Sequence, residues 1–236
     1  MERMASIEKP DATLLLGDNF YDNGVKDVND EQFESVYKKM FEGNAMQDVP
    51  MYLLTGNHDY NGNVTAQIEY TNLDSTGRWN YPDWYYNVNF LDGKLELLMI
   101  DTSALQNFTE FDSDQWGDIE IEPTDRRTPQ YEWIEKVLST STAEMLIVAG
   151  HYPVFSHAKH GSTEELVDNL KPLFEKYEVT AYLCGHDHNM QYITYGDDFT
   201  KHFVIGQGTQ VKYKSDYGDE LGGSAQCVIW WKNRQP

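Results

Sequence analysis

Seven side chains of metal-binding type stand just past short apolar runs: Asp18, Tyr21, Asn57, His58, His151, His186 and His188. The runs are TLLLGDNFYDNG at 13–24, MYLLTGNHD at 51–59, MLIVAGHYP at 145–153 and AYLCGHDH at 181–188. Asp18 offers a carboxylate that can bridge two cations. Tyr21 can offer a phenolate only beside a strong Lewis acid such as Fe(III), because its ordinary pKa is about 10. Asn57 supplies a neutral carbonyl oxygen. His58 beside it is either a ligand or a hydrogen-bonding acid. Alternation at a strand end would point these two apart, so they are not expected to bind the same ion. Asp59 is expected to orient the His58 ring. His186 and His188, two apart in an extended segment, are expected to share a face and reach different ions of a pair, with Asp187 pointing away. His157 and His160 follow in a loop ending in glycine. One of them can donate a proton to a leaving group, and the plainer alternative is a pair of exposed histidines. His202, inside a strand-like run, reads as structural.

These groups can act together only if the fold gathers them. Four to six apolar residues before a glycine read as a strand buried on both faces. Open sheets with strands running the same way collect the carboxyl ends of such strands along one rim, where ligands bind. Gly17 and Gly24 let the first loop turn back tightly. Between the blocks, Asp30 is expected to cap a helix over about 31–41, with Phe33, Val36, Tyr37, Met40 and Phe41 at helical spacing. Residues 85–90 and 95–100 flank Leu91-Asp92-Gly93-Lys94 as a hairpin. Residues 103–128 are acidic and poorly periodic and read as a long loop. Thr128-Pro129 opens a helix to about Leu138, with proline at its first position. Ser162 and Glu165 read as a capping box for a helix through Phe174 that Pro172 bends or shortens. Strands follow at 191–195, 202–205 and 226–231. This order fits a layered α/β sandwich rather than a barrel or bundle.

Composition narrows the function. A chain of 236 residues suits a single domain over 1–236, and no Gly, Ser or Pro linker divides it. A net charge of −21 argues against a nucleic-acid partner. It would also repel a phosphate substrate unless a local cationic centre, such as a metal pair, reversed the field. No apolar stretch approaches the ~20 residues of a membrane helix. The two cysteines, Cys184 and Cys227, do not make a disulfide framework, and Cys184 within AYLC reads as a buried, inert thiol. The opening MERMASIEKP has no signal-peptide core, whereas Asn63-Val64-Thr65 and Asn107-Phe108-Thr109 fit the N-glycosylation pattern of secreted proteins.

GDNFYDNG, GNHDYNGNVTAQ, VAGHYPVFSHAKHG, VTAYLCGHDHNMQY and LGGSA together resemble the metallophosphoesterase superfamily, specifically its purple acid phosphatases of the tartrate-resistant, mammalian type. The resemblance implies a four-layer αββα sandwich and hydrolysis of phosphate monoesters at acid pH by a metal-bound hydroxide. Asp18, Tyr21 and His188 would hold Fe(III). Asp18, Asn57, His151 and His186 would hold a divalent ion, either Fe(II), Zn or Mn. His58 would contact the phosphate and His160 would assist the leaving group. The substrate would be a small phosphomonoester or a phosphoprotein, and the protein a secreted or lysosomal monomer glycosylated at Asn63. The acidic loop would take the place of the family's repressing loop. Tyr60 replaces a histidine often found in the mammalian pattern, and the family's disulfide has no counterpart. The pattern also includes an earlier strand ending in a GDWG-like block and a final strand. Both are expected to be missing here, and Asp11 cannot substitute because seven extended residues, about 23 Å, separate it from Asp18. Two other readings remain: a phosphodiesterase or nucleotidase using Mn or Zn in the same fold, and an inactive remnant lacking the first aspartate ligand.

Overall fold

The four glycine-terminated apolar runs are all strands: β1 (Ala12–Leu16), β2 (Met51–Leu54), β6 (Met145–Ala149) and β7 (Ala181–Cys184). Every residue of β1 and β7 is buried, as strands between two covering layers must be. The structure, a computed structural model, describes residues 10–42, 46–106, 126–194 and 196–206, and the backbone of 226–229. The remaining strands are β3 (Trp79–Asn80), β4 (Tyr86–Phe90), β5 (Leu95–Met99), β8 (Met190–Ile193), β9 (Lys201–Ile205) and β10 (Gln226–Ile229).

Among the described residues these form two sheets, one ordered β10-β1-β2-β3 and the other β4-β5-β6-β7-β9-β8. β1, β2 and β3 are parallel, with β10 antiparallel to β1. In the larger sheet β5, β6, β7 and β9 are parallel, with β4 and β8 antiparallel at its edges. The predicted four-layer αββα class is therefore met by two mixed sheets, each with a parallel centre. Their facing sides share one apolar core that runs from Leu14 and Leu53 to Leu97 and Val148. Tyr86 also ties them, its hydroxyl accepting from the Leu53 N–H at 3.0 Å and donating to the Leu53 carbonyl at 2.8 Å.

Among the described residues five α-helices connect the strands: α1 (Asn57–Tyr60), α2 (Val64–Tyr70), α3 (Thr102–Leu105), α4 (Arg127–Thr140) and α5 (Glu164–Lys176). Several expected details change. The helix after β1 is wound as a π-helix over Phe33–Lys38, burying Phe33 and Tyr37 but leaving Met40 exposed. The wider turn shifts the buried stripe off 3.6-residue spacing. The Asp30 carboxylate does accept the Gln32 N–H, at 3.0 Å. α4 begins at Arg127, which puts Pro129 third, still within the first turn where N–H groups have no intrahelical partner. The Ser162–Glu165 capping box does not form. Thr163 is the N-cap of α5, and the Ser162 hydroxyl instead accepts the Ser156 N–H at 3.2 Å. Pro172 does not end α5, which continues to Lys176. Pro172 and Asp168, whose carbonyl it leaves unpaired, are both exposed, so water can satisfy that oxygen. Most of the acidic loop, 107–125, and Cys227's side chain lie outside the described residues.

His202 on β9 is structural, as its sequence setting implied. It is 2 % exposed and packs edge-on against Phe155 at 4.9 Å, and its Nδ1 has no hydrogen-bond partner. Burial, with Lys171 and Lys201 adding to it, holds its pKa down to about 4. The unfolded chain binds this proton below pH 6.5 and the folded chain only below about 4. Stability from His202 is therefore complete above pH 6.5 and is lost as pH falls through the window to about 4. Denaturant unfolding should show a loss of up to about 3 kcal/mol across that window, and His202→Leu should remove this component.

Candidate metal centre

The carboxyl ends of β1, β2, β6 and β7 bring six of the seven side chains into contact, and His58 packs against them. The Tyr21 hydroxyl donates to Asp18 Oδ2 at 2.8 Å and lies 3.1 Å from His188 Nε2. Asn57 Oδ1 is 3.0 Å from His151 Nε2 and 3.1 Å from His186 Nδ1, and those two ring nitrogens are 3.3 Å apart. Asp18 Oδ1 joins the groups, 3.5 Å from His151 Nε2. Donor atoms around one ion, with bonds of about 2.1 Å, lie about 3.0 Å apart in an octahedron and about 3.4 Å apart in a tetrahedron. Four of the six observed spacings fall in that range, and the other two, 2.8 and 3.5 Å, lie just outside it. Counting only His, Cys, Asp and Glu, no group of three among the described residues is gathered to hold an ion. The Tyr21 phenol and the Asn57 amide oxygen lie among the His and Asp side chains of the two expected sets.

Hydrogen bonding shows which lone pairs are available. His151 is fully buried and its Nδ1 lies 2.8 Å from the Leu16 carbonyl, which fixes the tautomer of the neutral ring with the proton on Nδ1 and the lone pair on Nε2. Nε2, Asn57 Oδ1 and Asp18 Oδ1 are then three acceptors facing one another in a buried place. That arrangement fits a cation. Burial, reinforced by His151, His160, His188 and His58, holds His186 well below its ordinary pKa, and His188 is lowered chiefly by burial. Both shifts favour the neutral form that a metal requires. Burial, then Asp18, raises the Tyr21 phenol above its ordinary value, so only a strong Lewis acid would deprotonate it.

Close approach explains the glycines. A Cβ on Gly56 would lie 2.3 Å from Asp18 Oδ1, and one on Gly17 would lie 2.6 Å from His151 Nδ1. Asp18 and His186 themselves adopt left-handed backbone, with φ of 54° and 63°. Such residues concentrate where a site over-determines the chain.

The geometry corrects three assignments. Asn57 and His58 lie on α1 and not on an extended strand end, and the helical turn is what separates them. Asp59 does not orient His58. The His58 Nδ1 lies 2.8 Å from the Asp22 carbonyl, and its ring packs on Tyr21 at 4.4 Å. Asp59 is fully buried and accepts the N–H groups of Asn19, Phe20 and Gly56 and the amide of Gln67, clamping the first loop onto the second. Burial and nearby Asp18 push its pKa up to about 6. His186 and His188 occupy a bent segment, and the left-handed turn at His186 sends the two rings to the two different donor sets. His160 is exposed, with its ring 4.5 Å from that of His186, while His157 is exposed away from these contacts. Tyr60 is buried off the site, donating to Asp101 and accepting from Arg126 at 2.9 Å.

Sequence reasoning missed Thr102. Its buried hydroxyl accepts the N–H groups of His151 at 3.0 Å and Tyr152 at 2.9 Å, fixing the entry to the third block. The only signal was a fifth apolar run, LLMI, ending in Asp101-Thr102.

This sheet architecture and clustered donor set define a metallophosphoesterase. Residues 1–190 match the calcineurin-like phosphoesterase family, and the chain belongs to it. It is 40% identical over 199 residues to human tartrate-resistant acid phosphatase type 5, an alignment covering 81% of this chain and 59% of that protein. The chain therefore spans a little over half the length of that relative. Among solved structures it is similar to GAP50, the anchor in the inner membrane complex of Plasmodium, with a TM-score of 0.68 and 25% identity over 89% of this chain and 65% of that one. It also shares its fold with purple acid phosphatase PPD1 from yellow lupin seeds, at a TM-score of 0.61 and 20% identity over 97% of this chain and 42% of that one.

Gly56→Ala should push Asp18 away from His151. Metal affinity measured by chelator competition should fall roughly 10–100-fold while circular dichroism stays native-like. Unchanged affinity would mean that Asp18 Oδ1 is not a ligand.

Proposed function

We propose that this chain hydrolyses phosphate monoesters at acid pH using two metal ions held at the rim of its sheets. Asp18, Tyr21 and His188 would hold Fe(III), and Asp18, Asn57, His151 and His186 would hold Fe(II), Zn or Mn. The observation that carries this reading is the chain of donor atoms from His188 Nε2 through Tyr21 and Asp18 to His151, Asn57 and His186, at spacings of 2.8 to 3.5 Å. When bound, such ions neutralise phosphate oxygens and acidify water for attack. They also reverse the repulsion that a net charge of −21 imposes on an anionic substrate.

The protein's own residues do the rest. His58 donates Nδ1–H to the Asp22 carbonyl, which leaves Nε2 to meet a phosphate oxygen. His160, exposed beside His186, delivers a proton to the departing oxygen. His151 and Thr102 hold the third block so that Nε2 stays aimed at Asn57. Tyr21 favours iron over an Mn or Zn phosphodiesterase centre, because a phenol with a raised pKa is a poor ligand for a weaker Lewis acid. The substrates would be small phosphomonoesters or phosphoproteins. The protein would be a secreted or lysosomal monomer, and Asn63, exposed with its Oδ1 capping α2 at 3.0 Å from the Ala66 nitrogen, would carry the glycan.

Iron-loaded protein should show a visible phenolate charge-transfer band that Tyr21→Phe abolishes. It should hydrolyse p-nitrophenyl phosphate at acid pH, and Asn57→Ala and His151→Ala should each lower kcat/KM at least about 100-fold. An active protein that both substitutions leave unchanged would refute the assignment.

A further inference from the structure

Asp187 stands between His186 and His188, yet its carboxylate faces neither donor set. It is 2 % exposed, and it accepts the Ser156 hydroxyl on Oδ2 and the His160 N–H on Oδ1, the latter at 3.2 Å. Ser156 Oγ accepts in turn from the Ala158 N–H at 3.1 Å and from Gln191 Nε2 at 2.8 Å. Gln191 Oε1 takes the His157 N–H at 2.8 Å, and Ser162 Oγ takes the Ser156 N–H at 3.2 Å. Four of the five backbone N–H groups from Ser156 to His160 are thus held by side chains. His157, Lys159 and His160 are exposed, so the shape of this loop rests on the polar network more than on apolar burial. The anchor itself is fixed from behind: Gly206 packs so closely that a Cβ there would lie 1.8 Å from the Asp187 carbonyl oxygen.

We infer that Asp187 is a positioning residue for His160. The segment that presents His186 and His188 also sets, through Asp187, where the His160 ring stands. A leaving-group proton donor is useful only at hydrogen-bond reach of the departing oxygen, and a loop of exposed side chains does not hold that distance by itself. This inference rests on the phosphatase reading.

The test compares the metal-loaded full chain with its Asp187→Asn, Ser156→Ala and His160→Ala variants. The two substrates are p-nitrophenyl phosphate, whose leaving anion needs little protonation, and β-glycerophosphate, whose alkoxide needs a proton. Metal content and amide hydrogen exchange over 156–160 are read alongside. Asp187→Asn and Ser156→Ala should lower kcat for β-glycerophosphate about tenfold or more, with p-nitrophenyl phosphate within about threefold. Metal content should be unchanged, and exchange over 156–160 should quicken. In the His160→Ala background Asp187→Asn should cost nothing further. Equal losses on both substrates accompanied by loss of metal would overturn the inference, since Asp187 would then serve only the ligands. Unchanged exchange at His160 would overturn it as well. A wild-type protein inactive on both substrates would instead overturn the phosphatase reading, leaving the exchange rates to decide the anchoring.

Discussion

The bond between His151 Nδ1 and the Leu16 carbonyl, 2.8 Å long and fully buried, is the contact on which the rest of the site depends. Leu16 ends β1 of one sheet and His151 follows β6 of the other, so a single imidazole pins the two rims together. By using its proton on that carbonyl, the ring is left with one bare nitrogen, aimed at Asn57 and His186. A fold built on this contact presents lone pairs to lone pairs. Such a place is costly to bury without a cation, so a metal bound there would link its affinity to folding.

Holding the rims that close has consequences in the backbone. Gly17 and Gly56 sit where any Cβ would enter His151 or Asp18, and Asp18 and His186 accept left-handed conformations of a kind rare for residues with side chains. Asp59 offsets part of this cost by accepting three backbone N–H groups and the Gln67 amide at once. Thr102 does the same for the third block with one hydroxyl. The donors are therefore held by buried polar groups outside the donor sets, and Asp187 extends that support to the loop of His160.

The strands and the donor residues were legible because their signals are local. An apolar run ending in glycine marks a doubly buried strand, and a histidine or aspartate just beyond it falls at a rim. The roles of Asp59, Thr102 and Asp187 were not legible, because each depends on backbone groups brought close by the fold: Asn19 for Asp59, His151 for Thr102 and His160 for Asp187. Asp59 was misassigned to His58 because sequence adjacency was its only visible relation. Local competition also blurred helix detail. Ser162 resembles a cap, but its hydroxyl is drawn to Ser156, and Pro172 resembles a breaker, but it stands on an exposed face where water can reach the freed carbonyl.

The most direct test of the account is a crystal structure of the metal-loaded chain with anomalous scattering recorded at the iron edge and at that of the second metal. The account predicts two peaks, one bonded by Asp18, Tyr21 and His188 and the other by Asp18, Asn57, His151 Nε2 and His186 Nδ1. A well-ordered site with no peak, or with peaks that leave His151 Nε2 and Asn57 Oδ1 unligated, would contradict it.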